Sequence, residues 1–190
     1  PFQKESTQKL TADIKTPSLL TEEELNKTAP KADLLDVDFA GGTASDQSEA
    51  GHTAVRKGAP VIAYNDILGK KTAKFDGSSA FAFHFRTDEY TKMQKGFTME
   101  CMMKLDSEGN PFSDQESAGA GFELNSDGKT LEFWSRHGGN YKKPTAQIDT
   151  AKWVHAAATY DGSVLKLYVN GKLKDVISAP DQWVIPEDGA

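Results

Sequence analysis

The sequence predicts an all-β protein built from antiparallel strands, as a sandwich or a barrel. From residue 33 onward, short apolar stretches alternate with polar residues at a period of two, as expected for strands with one buried face. Gly-Gly, Asp-Gly and Asn-Gly pairs stand between or within these stretches, and they suit hairpin turns because they tolerate positive φ. Short strands at this spacing are typical of sandwiches and barrels, and no convincing helical run interrupts them.

The N-terminal segment differs in character from the rest of the chain. The stretch TEEELNKT at residues 21–28 predicts a short helix, because Thr21 and Glu24 fit a capping box and the first turn is acidic. We therefore expect a linker with a short helix over residues 1–31, followed by one domain over residues 32–190.

The domain begins with the predicted strand DLLDVDF. One face of this strand carries Leu35, Val37 and Phe39, and the other carries Asp36 and Asp38. The apolar runs APVIAYN, AKFDGSSAFAFHF and GFTMECMMKL follow as further strands. Alternation in the last run places Cys101, the only cysteine, on an apolar stripe, so we expect a buried and slowly reacting thiol.

The second half of the domain contains two stretches that predict hairpins, with three turns in total. The stretch AGAGFELNSDGKTLEFWSR turns at Asp127-Gly128, and WVHAAATYDGSVLKLYVNGKL turns at Asp161-Gly162 and again at Asn170-Gly171. Its Trp153 begins a strand just after a loop, where a large ring can seal the end of a sandwich. A lone strand histidine such as His155 more often makes a structural hydrogen bond than binds a ligand.

Three motifs in a fixed order carry a family resemblance. AKFDGSSAFAF, GFTMECMMKL and WVHAAATYDGSVLKLYVNGKL resemble the laminin-G-like, concanavalin-A-like jelly-roll family over about residues 33–178. The resemblance implies an antiparallel jelly-roll β-sandwich. The stretches ADLLDVDF and GTASDQS further resemble bacterial modules that follow a calcineurin-like metallophosphoesterase domain, which implies a secreted or cell-surface protein.

The C-terminal stretch departs from that family. Related modules continue with further strands after the Tyr-Val-Asn-Gly hairpin, whereas this sequence ends in DQWVIPEDGA. We expect the last strands to be missing and the exposed edge to be covered by residues 4–14, by a second copy, or by a neighbouring domain or chain. A sandwich closed by residues 176–190 would contradict this expectation.

Catalytic signatures are absent from the sequence. It contains no Glu-x-Asp-x-x-Glu string of the laminarinase type, nucleophile elbow, His-Glu-x-x-His, Cys-x-x-Cys or P-loop. Asp36 and Asp38 lie about 6–7 Å apart at the usual rise of a strand, but the first strand is not catalytic in the family. We therefore expect no enzyme activity.

Composition excludes two further classes of partner. Acidic residues outnumber basic ones by 28 to 22, which gives a net charge of −6. The sequence also lacks a basic cluster with interleaved aromatic residues, so nucleic-acid binding is not expected. No apolar run approaches the roughly 18–20 residues that span a bilayer.

A polar and aromatic surface is the candidate ligand site. Trp134 and Arg136 share one face of the strand LEFWSR, beside the loop HGGNY. The candidate ligand-binding residues, suited to stacking on a sugar and hydrogen bonding to its hydroxyls, are Trp134, Arg136, His137, Asn140 and Tyr141. In the alternative interpretation, Trp134 covers a core edge and Arg136 pairs with an acid.

The family resemblance also allows a structural calcium ion. Its oxygen ligands would come from loop carboxylates, and the candidates are Asp36, Asp38, Asp46 and Asp76. The sequence thus predicts a non-catalytic module that recognises a carbohydrate or a cell-surface glycan. The alternative is a structural accessory domain that packs on a neighbouring catalytic domain and binds no ligand.

Overall fold

The computed structural model describes residues 32–114 and 118–186. The predicted helix over residues 21–28 and the segment 4–14 lie outside these residues. The expected boundary between residues 31 and 32 therefore stays a prediction.

Strands dominate the described part of the chain. In chain order they are β1 (Val37–Asp38), β2 (Ser45–Asp46), β3 (Val55–Lys57), β4 (Val61–Asn65), β5 (Lys70–Lys74), β6 (Ala80–Ala82), β7 (Phe97–Met103), β8 (Gly109–Ser113), β9 (Ala120–Leu124), β10 (Thr130–His137), β11 (Asn140–Lys142), β12 (Thr145–Gln147), β13 (Val154–Tyr160), β14 (Val164–Val169) and β15 (Lys172–Ser178). One helix, α1 (Thr87–Met93), lies between β6 and β7.

Two antiparallel sheets form the sandwich. One has the order β15-β14-β13-β7, and the other has the order β11-β10-β9-β8, with β12 also paired to β10. The three predicted turns of the second half all connect adjacent strands, at Asp127-Gly128, Asp161-Gly162 and Asn170-Gly171. The prediction of an antiparallel β-sandwich is confirmed.

The core lies between the two sheets because each contributes one alternating face. On β13 every second residue from Val154 to Tyr160 is buried, as is every second residue of β14 from Leu165 to Val169. Trp183 closes one end of this core, with 1% of its surface exposed, and its indole N–H donates to the Gly119 carbonyl oxygen at 3.0 Å.

The β7 strand bears out the predicted alternation. The residues with odd numbers, including Cys101, are buried or half-buried against the core, while Thr98, Glu100 and Met102 are exposed. Burial raises the pKa of the Cys101 thiol to about 11, which keeps the thiolate scarce at neutral pH.

The helix α1 is a correction to the predicted absence of helices. Its first turn is stabilised by Glu89, whose carboxylate accepts a hydrogen bond from the Arg86 backbone N–H at 2.7 Å. Tyr90 is its buried aromatic anchor. Two turns around one apolar anchor do not produce the repeated helical period that sequence analysis requires.

The sandwich is not closed within the described residues. The strand β1 pairs only with β2, and β7 and β8 each leave one edge unpaired there. Part of the C-terminal stretch does pair: Val184 donates a hydrogen bond to the Arg136 carbonyl oxygen at 2.9 Å, at the end of β10. This pairing extends the five-stranded sheet without reaching β1, so the covering of the exposed edges stays a prediction.

Among the described residues, no helix has the length and apolar character to span a membrane.

Candidate functional site

The outer face of the five-stranded sheet, meaning the face turned away from the core, carries the candidate site. Alternation along β10 directs Leu131, Phe133, Ser135 and His137 toward the core and Glu132, Trp134 and Arg136 outward. Glu132 and Trp134 are nevertheless buried. The outer face is therefore a packed surface with polar groups held in place.

Trp134 lies under this surface rather than on it. Its ring has 5% of its surface exposed, and it lies over Gly121 of β9, where an added Cβ would meet the ring at 2.9 Å. Its indole N–H donates to Asn110 Oδ1 at 3.4 Å. Trp134 cannot offer a ring face to a sugar, so its place matches the alternative interpretation in which it covers an edge.

Tyr141 is the exposed ring of the outer face. It has 41% of its surface exposed and meets Trp134 edge-on, with ring centroids 6.0 Å apart. On the neighbouring strand it lies directly opposite Arg136, whose guanidinium carbon is 5.8 Å from the Tyr141 centroid. Trp134 and Arg136 therefore brace a phenol ring that is partly exposed to solvent.

A carboxyl pair lies beside these aromatic residues. Glu123 of β9 and Glu132 of β10 are directly opposite each other, and Lys143 Nζ contacts Glu132 Oε1 at 2.5 Å. Burial, followed by the charge of Glu132 and a hydrogen bond to it, raises the pKa of Glu123, although Lys143 partly opposes this rise. The Glu132 hydrogen bond likewise raises the pKa of Lys143. The arrangement places two carboxyl groups and one ammonium group side by side on the outer face.

A cleft adjoins Glu123 at the start of β8. Its volume is about 760 Å³, and its lining includes Glu108, Glu123, Asn125, Ser126 and Asp127. The cleft is shallow and opens widely to solvent. The lining is rich in the carboxylate, amide and hydroxyl groups that bind sugar hydroxyls.

His137 is separated from the other predicted ligand-binding residues. It points into the core with no exposed surface, and its Nδ1 donates to the Asp181 carbonyl oxygen at 3.1 Å while Nε2 accepts from Ser135 Oγ at 2.9 Å. Burial lowers the pKa of His137, despite the opposing bond to Asp181. Asn140 is exposed at the adjacent turn, so the outer face brings together Trp134, Arg136 and Tyr141 without His137.

The four predicted calcium ligands do not converge. The Asp46 carboxylate accepts the backbone N–H groups of Asp36, Ser48 and His52. Asp38 accepts the Ala40 N–H, and hydrogen bonds from the side chain of Ser79 and from Ser78 lower the pKa of Asp76 to about 2. No group of three or more His, Cys, Asp or Glu side chains is arranged to hold a metal within residues 32–114 and 118–186. A calcium ion on these aspartates stays a prediction.

Asp46 instead belongs to a buried cluster that sequence analysis missed. His52 Nδ1 lies 3.0 Å from Asp46 Oδ2, and His52 Nε2 lies 3.1 Å from Glu89 Oε2. Their side chains are 6%, 0% and 1% exposed for His52, Asp46 and Glu89. Each ring nitrogen of His52 therefore lies within hydrogen-bond distance of a carboxyl oxygen. We call these three residues the histidine clasp; it joins the β2 region to α1.

Glu123 and Lys143 are the members of the outer face that sequence analysis missed. The sequence contained a signal that predicts the position of Glu123. A hairpin turning at Asp127-Gly128 with Leu124 opposite Leu131 must place Glu123 opposite Glu132. No sequence pattern predicts the position of Lys143. It follows the short strand β11, and its side chain contacts Glu132 of β10.

Solved structures of low sequence identity share this fold. The binding domain of botulinum neurotoxin DC in complex with rat synaptotagmin II matches with a TM-score of 0.63 and 15% identity, over 80% of this chain and 41% of that one. The same binding domain in complex with SialylT matches with a TM-score of 0.62 and 17% identity, over 80% and 41%. A botulinum neurotoxin type C structure, concerned with cell entry dependent upon two ganglioside molecules, matches with a TM-score of 0.60 and 13% identity, over 83% and 44%.

These likenesses show the fold alone, and the chain spans about two fifths of the length of each of the three proteins. A search of curated proteins found no match. Residues 75–190, more than half of the chain, match the family model described as the concanavalin A-like lectin/glucanases superfamily. The chain belongs to that superfamily.

Proposed function

We propose that this domain is a non-catalytic recognition module that binds a carbohydrate or cell-surface glycan, within a larger bacterial secreted or surface protein. The observation that carries the proposal is the exposed Tyr141 ring, braced by Trp134 and Arg136 on a face that also holds Glu132 and Lys143. The bacterial and extracellular setting follows from the sequence resemblance.

The outer face offers both kinds of contact that sugars require. The solvent-exposed part of the Tyr141 ring can stack on the C–H face of a pyranose, and the phenol and Arg136 can hydrogen-bond to hydroxyls. Because Trp134 and Arg136 already hold the ring, a ligand would not have to order it, which favours affinity.

The cleft beside Glu123 supplies room and polar partners for further sugar units. Its volume of about 760 Å³ exceeds that of one monosaccharide, and acidic and amide side chains line it. Tyr141 lies opposite Arg136 and Glu123 lies opposite Glu132, so a glycan that extends from one to the other would cross β10 diagonally, over four residues of its length. We therefore infer an oligosaccharide ligand rather than a single sugar.

The structural neighbours support a glycan as the class of ligand. One of them concerns interaction with two ganglioside molecules and another is in complex with SialylT, so this fold occurs in proteins that bind glycans. They are at most 17% identical over the matched region, and the proposal therefore rests on the outer face itself.

The carboxyl pair supports recognition rather than hydrolysis. Retaining glycosidases hold two carboxyl groups about 5–5.5 Å apart, and inverting enzymes hold them farther apart, so that a sugar or water fits between. Glu123 and Glu132 instead lie directly opposite each other on neighbouring strands, and Lys143 Nζ contacts Glu132 Oε1 at 2.5 Å. Because Lys143 already engages the Glu132 carboxyl group, the arrangement supports recognition rather than hydrolysis.

Affinity electrophoresis of the full chain against a panel of glycans, preceded by a glycan array, tests the proposal. Tyr141→Ala should weaken binding at least tenfold without changing the melting temperature. Tyr64→Ala is the matched control, because Tyr64 is also exposed, at 63%, but lies on β4. Equal losses in both variants, or no glycan retained by the wild type, would contradict the proposal.

The exposed strand edges favour one other candidate function. Among the described residues β7 and β8 each have an unpaired edge, which can accept a strand from a neighbouring domain. A structural accessory domain would use these edges and leave the outer face empty. Failure of every glycan in the array, together with tight binding to an adjacent domain, would support this alternative.

A further inference from the structure

The β4–β5 hairpin is a separate projection from the sandwich. Its two strands pair only with each other among the described residues, with Val61 opposite Lys74 and Tyr64 opposite Lys71. Asn65 fixes the turn, since its side-chain oxygen accepts the N–H groups of Ile67 and Leu68, both at 3.1 Å. The tip is therefore an ordered structure with a defined set of exposed side chains.

This hairpin exposes large apolar side chains along its length and at its turn. Ile67 is 79% exposed, Tyr64 is 63% exposed and Val61 is 56% exposed. Ile67 stands at the turn itself, and Tyr64 lies one residue before the end of its strand. Exposed apolar side chains gathered on one projection indicate an interaction surface.

Positive charge surrounds these apolar residues. Residues 55–75 contain five basic and one acidic residue, in a chain whose net charge is −6. Lys70, Lys71 and Lys74 are all exposed, and none forms an ion pair with a carboxylate of the described residues. Basic side chains without acidic partners attract an anionic surface.

We propose that the β4–β5 hairpin docks end-on to a bilayer that contains anionic phospholipid. Ile67 enters the boundary between headgroups and acyl chains, and Tyr64 lies at the level of the headgroups, where tyrosine is favoured. Lys70 and Lys71 follow the turn directly, which places their ammonium groups at the lipid phosphates. This surface is independent of the outer face and does not rest on glycan binding.

Exposed apolar residues alone would also suit a protein partner. The exposed lysines beside them favour an anionic bilayer instead. The exposed apolar residues of β4 lie directly opposite lysines of β5. The long flexible side chain of lysine can adapt to a fluid array of lipid phosphates. The mode resembles that of peripheral anchors, which combine shallow apolar burial with attraction to anionic lipid.

Vesicle flotation of the full chain tests this inference. The two arms are phosphatidylcholine vesicles and phosphatidylcholine vesicles with about 30% phosphatidylserine, an anionic lipid that gives the vesicle a negative surface potential. The wild-type chain should float only with the second kind, and binding should fall as salt is raised because the interaction is screened.

Two variants separate the apolar and electrostatic contributions. Ile67→Ser should weaken partitioning about tenfold, because burial of an isoleucine side chain is worth at least that factor. Each lysine near an anionic surface contributes a factor of about five, so Lys70→Gln/Lys71→Gln should weaken it about 25-fold. Unchanged melting temperatures would show that both variants remain folded.

Matched controls lie on the β14–β15 hairpin. Leu173→Ser removes another exposed apolar side chain, 52% exposed, and Lys172→Gln/Lys174→Gln removes two other exposed lysines. Both controls, and Tyr141→Ala, should bind vesicles within twofold of the wild type. Absence of flotation, equal losses in the controls, or a dimer in light scattering that Ile67→Ser converts to a monomer would each overturn the proposal.

Discussion

Replacement of His52 by glutamine perturbs the histidine clasp without removing much volume. The imidazole bridges Asp46 and Glu89, whose side chains are 0% and 1% exposed. Removing one partner from a buried ionic cluster costs about 3–5 kcal/mol, because the remaining charges stay buried without compensation. Both carboxylates keep other donors, including the backbone N–H groups on Asp46 and the Arg86 guanidinium at 2.9 Å from Glu89. We therefore expect a loss near the lower limit, about 3 kcal/mol.

Urea denaturation of the wild type and the variant measures this loss. A loss of about 3 kcal/mol lowers the melting temperature of a domain of this size by about 6–12 °C. His155→Gln is the matched control, since His155 Nε2 lies 3.4 Å from Glu100 in a pair whose side chains are 36% and 64% exposed. Exposed pairs contribute less than about 1 kcal/mol. Equal losses for His52→Gln and His155→Gln would refute the assignment of a buried ionic cluster.

Acid titration gives an independent test of the same clasp. Burial by itself would raise the pKa of Asp46 and of Glu89. Hydrogen bonds from the backbone outweigh this effect in both, and His52 and Arg86 contribute on Glu89, so that both pKa values are lowered. A lowered carboxyl pKa stabilises the fold above the pKa of the unfolded chain, and this stabilisation is lost as pH falls through the folded value. The wild type should therefore lose stability steeply below about pH 4, and His52→Gln less steeply. Parallel slopes would show that the imidazole does not contribute.

Three further outcomes follow from the packing. Trp134→Ala should cost about 3–5 kcal/mol in urea denaturation, because the ring is buried, and a loss below 1 kcal/mol would show that it is free to stack on a ligand. Burial raises the pKa of Cys101 to about 11, so a thiol reagent should label the native chain slowly and the unfolded chain fast; equal rates would place the thiol on the surface. The chain should hydrolyse neither β-glucans nor phosphoesters, and turnover that disappears in Glu123→Gln would overturn the non-catalytic assignment.

Strand alternation and turn pairs were sufficient to predict the sandwich and most of its buried faces. They failed for His137 because β10 continues one residue beyond Arg136. The sequence analysis ended the strand at Arg136 and therefore assigned His137 to a loop. Because β10 ends at His137, the same alternation directs this side chain toward the core. Tertiary packing sets the ends of strands. At the end of β10, His137 forms an isolated antiparallel bridge with Trp183.

The histidine clasp and the basic hairpin show two other limits of sequence analysis. His52 and Glu89 are 37 residues apart, and no local pattern indicates that they meet. Sequence analysis did not identify the lysines of β5 as part of a basic and apolar surface. Tyr64 and Val61 become their neighbours only through cross-strand pairing with Lys71 and Lys74. Function on a β-fold depends on such lateral neighbours, which are separated along the chain by the length of a hairpin.

The carboxyl pair on the outer face shows why lateral neighbours matter for function. The register that packs Phe122 against Phe133, with ring centroids 5.0 Å apart, also places Glu123 opposite Glu132. Like charges directly opposite on neighbouring strands destabilise a sheet, and any apolar or hydroxyl side chain at either position would remove that cost. The structure instead compensates for it with Lys143, whose Nζ contacts Glu132 Oε1. A feature that weakens the scaffold unless it is compensated supports the proposed recognition role, in which the cleft beside Glu123 forms part of the proposed ligand site.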